Sequence, residues 1–186
     1  MDELQAAIKE TAEKFAQCFQ NKGNFDFSIQ SLHDVNDFLE EVSDFVFEEQ
    51  QIYQYYTTVG SYIFEVARRN YGGTYYWLKE VKQPILVAGE PAFFVSIQAW
   101  EKAKMYIENG TEDDILFYID GYREHIEKGK RKIRERSDNR RYCMRSIIIH
   151  SGQSPTGWDS VYHSGKSRIY YCFLYRDRSG SWNFSS

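Results

Sequence analysis

Proline and cysteine are scarce: the 186 residues hold three of each. Breaks in regular structure must therefore come from glycine and from polar caps. Three thiols at wide spacing (Cys18, Cys143, Cys172) do not make the disulfide framework of a small secreted domain, and they are expected to be reduced. Long apolar runs are missing too. No stretch approaches the roughly 18 apolar residues needed to cross a bilayer, and the N-terminus MDELQAAIKETAEKF is charged where a signal peptide is apolar. A cytosolic protein with no membrane partner is expected.

Chemistry-bearing motifs are missing as well. Cys143, His150, His163 and Cys172 are zinc-ligand types, but gaps of 6, 12 and 8 residues between them match no compact metal knuckle. Gly72-Gly73 precedes a strand pattern and lacks the GK[ST] that cradles phosphate at a helix start. His33 and His125 fall on different expected helices with no nucleophile beside them. Neither metal nor cofactor is expected.

Charge is unevenly spread. The net charge of -4 divides into 23 acids against 10 bases over residues 1–127, and 4 acids against 13 bases over residues 128–186. Such a split arises when a tail lies on the body of its own chain, or when two ends face different partners. Aromatics are abundant, with 15 Tyr, 13 Phe and 4 Trp. They fill a core, and Tyr and Trp also favour interfaces.

The periodicities give an α+β fold: N-terminal helices packed on a small antiparallel three-stranded meander, then two further helices and a basic C-terminal extension. One domain over residues 1–127 is expected. Leu4, Ile8, Phe15 and Phe19 define a first helix over residues 2–20. FDFSI (25–29) alternates like a strand and also fits a hydrophobic link. Ser31 and Asp34 have the layout of a capping box opening a helix with Val35, Phe38, Leu39, Val42, Phe45 and Val46 on one stripe. A third helix over residues 48–70 carries Ile52, Tyr55, Tyr56, Val59, Ile63 and Val66, with Gly60 inside it to admit a neighbouring element. Gly72-Gly73 ends it. Strands are expected at 74–80, 84–88 and 92–95. Ser96 is read as the cap of a helix through Ile97, Trp100, Ala103 and Ile107, closed by Asn109-Gly110. Thr111 then opens a last helix with Ile115, Leu116, Ile119, Tyr122 and Ile126 inward. Beyond Lys128 the chain reads as an exposed helical extension or a linker, with short strands at 147–150 and 168–175.

Three surfaces stand out. Asp37, Glu40, Glu41 and Asp44 follow a helical spacing of i, i+3, i+4 and i+7, which sets four carboxylates on one face. That face is either simply solvated or attracts a basic partner. Glu65, near Tyr62 and the sheet, is a carboxylate among aromatics; a raised pKa there would suit acid or base catalysis by a small hydrolase. The alternative is a structural bond to Arg68 or Arg69. Lys130, Arg131, Lys132 and Arg134, within the basic segment 128–145, have the charge that nucleic-acid binding requires. The acidity of the body opposes that partner.

Gly60 to Glu65 (GSYIFE), Tyr71 to Gly73 (YGG), Trp77, and Glu108 to Asp114 (ENGTEDD) together resemble a group of small uncharacterised bacterial domains. Their pattern is a Gly-x-Tyr-x-x-Glu helix, a Gly-Gly-x-x-x-Trp strand start and a following meander. The resemblance spans roughly residues 50–125. Some similar domains are encoded beside polymorphic or contact-dependent toxins, which implies an immunity role: a non-enzymatic protein that neutralises a basic toxin domain. It assigns no catalytic or binding residue.

Overall fold

The computed structural model describes residues 3–45, 48–110, 114–143, 173–176 and 182–185. The described residues form α1 (Glu3–Cys18), α2 (Ser31–Ser43), α3 (Glu49–Tyr71), β1 (Thr74–Leu78), β2 (Gln83–Ala88), β3 (Val95–Ile97), α4 (Ala99–Asn109), α5 (Ile115–Cys143), β4 (Phe173–Arg176) and β5 (Trp182–Ser185). β1, β2 and β3 make an antiparallel meander with Tyr75 opposite Leu86 and Val87 opposite Ser96. β4 and β5 pair antiparallel. The fold is α+β, as the sequence pattern predicts.

α3 is the axis of the body. Nine consecutive residues, Val59 to Ala67, are buried, so the helix is covered on every side rather than along one stripe. α1 and α4 pack along it, and the sheet closes a further side. Its polar members are each provided for. Tyr62 Oη accepts from the Phe27 amide at 3.0 Å and shares a 2.7 Å bond with Ser31 Oγ. Ser61 Oγ accepts from Trp100 Nε1 at 3.1 Å. Gly60 is the contact point of α4: a Cβ there would lie 2.7 Å from Trp100 Cδ1, 2.8 Å from Trp100 Cα and 2.9 Å from the Ala99 carbonyl. The close approach expected from this glycine is present.

Of the two readings of FDFSI, the hydrophobic link is the one formed; it passes through Phe27 at φ 64°. Several local expectations are corrected. Asp34 does not cap α2. Its carboxylate accepts from the Asn24 amide at 2.8 Å, and the Ser31 hydroxyl turns to Ser28 and Tyr62. A capping box forms instead at the start of α3, between Glu48 and Gln51. The third strand begins at Val95, because the Ala92 and Phe93 amides both bond back to the Gly89 carbonyl and spend those residues on a turn. Ser96 is therefore a sheet residue opposite Val87, and Gln98 takes the N-cap position of α4 without a side-chain cap bond. Phe45, read as part of the α2 core stripe, is 61% exposed, and Val46 lies outside the described residues.

α5 starts at Ile115 with Asp114 as its cap, the Phe117 amide donating to Asp114 Oδ1 at 2.6 Å. Thr111 to Asp113 lie outside the described residues. Asn36 of α2 fixes this end from both sides, donating to Asp114 Oδ2 and accepting from the Ile115 amide. Ile115, Tyr118, Ile119, Tyr122 and Ile126 face the core. The helix then runs through Lys128 without a break, and Phe93 of the β2–β3 turn packs on Gly129, where a Cβ would lie 2.5 Å from the ring. The strand expected at 147–150 and the first residues of the one at 168–175 fall outside the described residues.

Tyr122 Oη is buried with no hydrogen-bond partner, alone in this among the described residues' side-chain polar atoms. A buried unpaired hydroxyl costs about 1–3 kcal/mol. Tyr122→Phe removes that cost and leaves the ring against Tyr71, so it is expected to raise the urea unfolding midpoint, with a gain of about 1 kcal/mol.

Candidate functional site

The outward face of α2 carries Asp37, Glu40, Glu41 and Asp44, all exposed. The helical spacing places them together because the opposite face, with Val35, Phe38, Leu39 and Val42, is drawn into the core. Glu41 is paired with Lys22 beyond the end of α1. Among the described residues Asp37, Glu40 and Asp44 carry no ion pair. Glu48 and Glu49, exposed at the start of α3, add two more acids nearby in sequence.

Where α1, α2 and α3 meet there is a groove of about 190 Å³, lined by Phe15, Phe19, Phe38, Gln54, Tyr55 and Val59 among others. Small-molecule sites usually enclose about 300–1,000 Å³. This one is the size of a single side chain.

Glu65 is fully buried. One carboxylate oxygen accepts from Arg68 Nε at 2.7 Å and from Tyr75 Oη at 3.0 Å; the other accepts from Arg68 Nη2 at 3.0 Å and Arg69 Nε at 3.2 Å. Arg69 continues to Glu13 of α1 at 3.3 Å and lies 3.6 Å over the Phe27 ring. Burial by itself pushes the Glu65 pKa up, but the Arg68 guanidinium, Tyr75 and Arg69 outweigh it and hold the carboxyl below the usual glutamate range. The raised pKa expected from its aromatic surroundings is thus corrected. Four donors fill the roughly four lone-pair sites of a carboxylate. Glu65 keeps neither a proton to give nor a lone pair to take one, and the alternative weighed for it, a bond to Arg68 or Arg69, is what the geometry shows.

Tyr62 and Trp77 do not join Glu65 in a site. The Tyr62 hydroxyl points to Ser31 and Phe27, whereas Trp77 is 48% exposed on β1 and meets Trp100 edge-on at 6.3 Å. Lys130, Arg131, Lys132 and Arg134 are exposed on the distal half of α5. Sequence reasoning missed the groove, whose walls come from three separate helices, and it missed Tyr75 and Glu13 as members of the Glu65 cluster. It also missed Lys102, buried on α4 with its ammonium 5.5 Å from the Tyr118 ring centre. Among the described residues no three His, Cys, Asp or Glu side chains come together as metal ligands, and no helix is long and apolar enough to cross a membrane. His150, His163 and Cys172 lie outside those residues. The chain matches no family model, no curated protein and no solved structure.

Proposed function

We propose that this is a cytosolic, non-enzymatic binding protein that captures a basic protein partner on the acidic face of α2, in the manner of an immunity protein covering a toxin domain. The observation that carries the reading is the set of exposed carboxylates Asp37, Glu40 and Asp44, which make no ion pair among the described residues, on a helix whose Phe38 also lines a groove of side-chain size. Complementary charge would speed encounter, and an apolar side chain of the partner seated against Phe19, Phe38 and Tyr55 would slow release. The resemblance of residues 50–125 to small bacterial domains, some of them encoded beside toxins, would imply the same role. The filled coordination of Glu65 weighs against the hydrolase alternative.

Capture from the native host with the tagged chain, washed at moderate and high salt, tests it. One basic protein retained in stoichiometric amount, and lost by the Asp37→Lys/Glu40→Lys/Asp44→Lys variant, is expected. Recovery of no protein, or of the same protein by the variant, would overturn it.

A further inference from the structure

The described part of the distal half of α5 carries a surplus of bases: Lys130, Arg131, Lys132 and Arg134 stand against Glu127 and Glu135. After Ile126, no described α5 side chain is fully buried, and Lys130, Arg131, Lys132 and Arg134 are exposed. The last ion pair among the described side chains of the helix is Lys128 with Glu124. Among the described residues these four bases make no ion pair, and neither do Asp37, Glu40 and Asp44 of α2. Both sets therefore leave unpaired charge of opposite sign on one molecule.

The fold keeps the two apart. Asn36 ties α2 to the first turn of α5. Lys130 is fifteen residues past Ile115 on the same continuous helix, about 22 Å further along its axis. The helix dipole reinforces the separation, since acids gather beside the N-terminal end of α5 and bases toward its C-terminal end. What one copy cannot do within itself, two copies can do between them.

We infer that the basic half of α5 docks on the acidic α2 face of a second copy. Exchanged reciprocally, the contact closes as a twofold pair; made in one direction only, it propagates beyond the dimer unless a ring forms. It rests on the same acidic face as the proposed capture of a basic partner, which would then displace the neighbouring copy. The test needs no foreign protein, so failure of self-association and failure of capture are separate results.

The experiment is light scattering on the nuclease-treated full chain at two protein concentrations, in about 50 mM and about 500 mM salt, which bracket strong and weak screening. The weight-average mass is expected to rise above one chain with concentration in low salt and to fall to one chain in high salt. Lys130→Glu/Arg131→Glu/Arg134→Glu and Asp37→Lys/Glu40→Lys/Asp44→Lys should each be monomeric alone. Mixed one to one they should associate again, which also shows that both are folded. A one-chain mass for the wild type in low salt at both concentrations, or association undiminished in the α5 variant, would overturn the inference. So would association that appears only before nuclease treatment, which would assign the helix to nucleic acid.

Discussion

Replacing Glu65 by alanine is expected to destabilise the protein by about 3 kcal/mol, within the range for removing one partner of a buried ion pair. The lower part of that range applies, because the Arg68 and Arg69 side chains are 25% and 34% exposed and water can reclaim them. Tyr75, 3% exposed, cannot be reclaimed in that way and loses its acceptor. Glu65→Gln keeps the volume and an oxygen for Tyr75, so it should cost less, about 2 kcal/mol. The same cluster predicts a pH dependence. Because the folded pKa of Glu65 lies below its ordinary value of 4.5, the stabilisation is present above that value and is lost as pH falls through the folded value. Urea midpoints measured from pH 7 downward should therefore fall more steeply for wild type than for Glu65→Gln once pH drops below 4.5. Parallel curves would show that the carboxylate carries no such linkage.

Gly60→Val is expected to be as damaging. Two of the three atoms nearest a Cβ at this position, Trp100 Cα and the Ala99 carbonyl oxygen, are backbone at the start of α4. No side-chain rotation relieves the contact; α4 itself must move away from α3. Valine adds two further methyls to a site already closed, and overpacking of this kind costs about 3 kcal/mol. The roughly 1 kcal/mol that a helix gains on losing a mid-helix glycine offsets only part of it. Gly60→Ala should fall between wild type and valine. A drop in the urea midpoint, with altered fluorescence from displacement of Trp100, is the expected result; a midpoint equal to wild type would mean that α4 is not held against Gly60.

Both effects bear on what the sequence discloses by itself. The order of helices, the meander and the role of Gly60 as a contact point are legible because they depend on spacing within one segment. Glu65 followed by Arg68 and Arg69 is a helical i, i+3, i+4 pattern and is legible for the same reason. Tyr75 and Glu13 are not, since β1 reaches the carboxylate only after the chain has turned at Gly72-Gly73, and Glu13 reaches Arg69 only once α1 has packed on α3. Caps failed where tertiary contacts competed: Asp34 spends its carboxylate on Asn24, and Ser31 spends its hydroxyl on Tyr62, a residue 31 positions away. The third strand was displaced because the turn from Gly89 consumes residues that have strand-like composition. At the candidate site, the acidic face follows from helical spacing alone, whereas the groove has walls on α1, α2 and α3 and exists only in the folded chain.

The binding role is measured most directly as the affinity of the captured basic partner for wild type and for Asp37→Lys/Glu40→Lys/Asp44→Lys, in moderate salt, alongside their urea midpoints. Reversal of three carboxylates is expected to weaken binding by about 100-fold or more, with slower association, at an unchanged midpoint. An affinity within about twofold of wild type would contradict the assignment of the α2 face as the docking surface, since charge complementarity there would then contribute nothing.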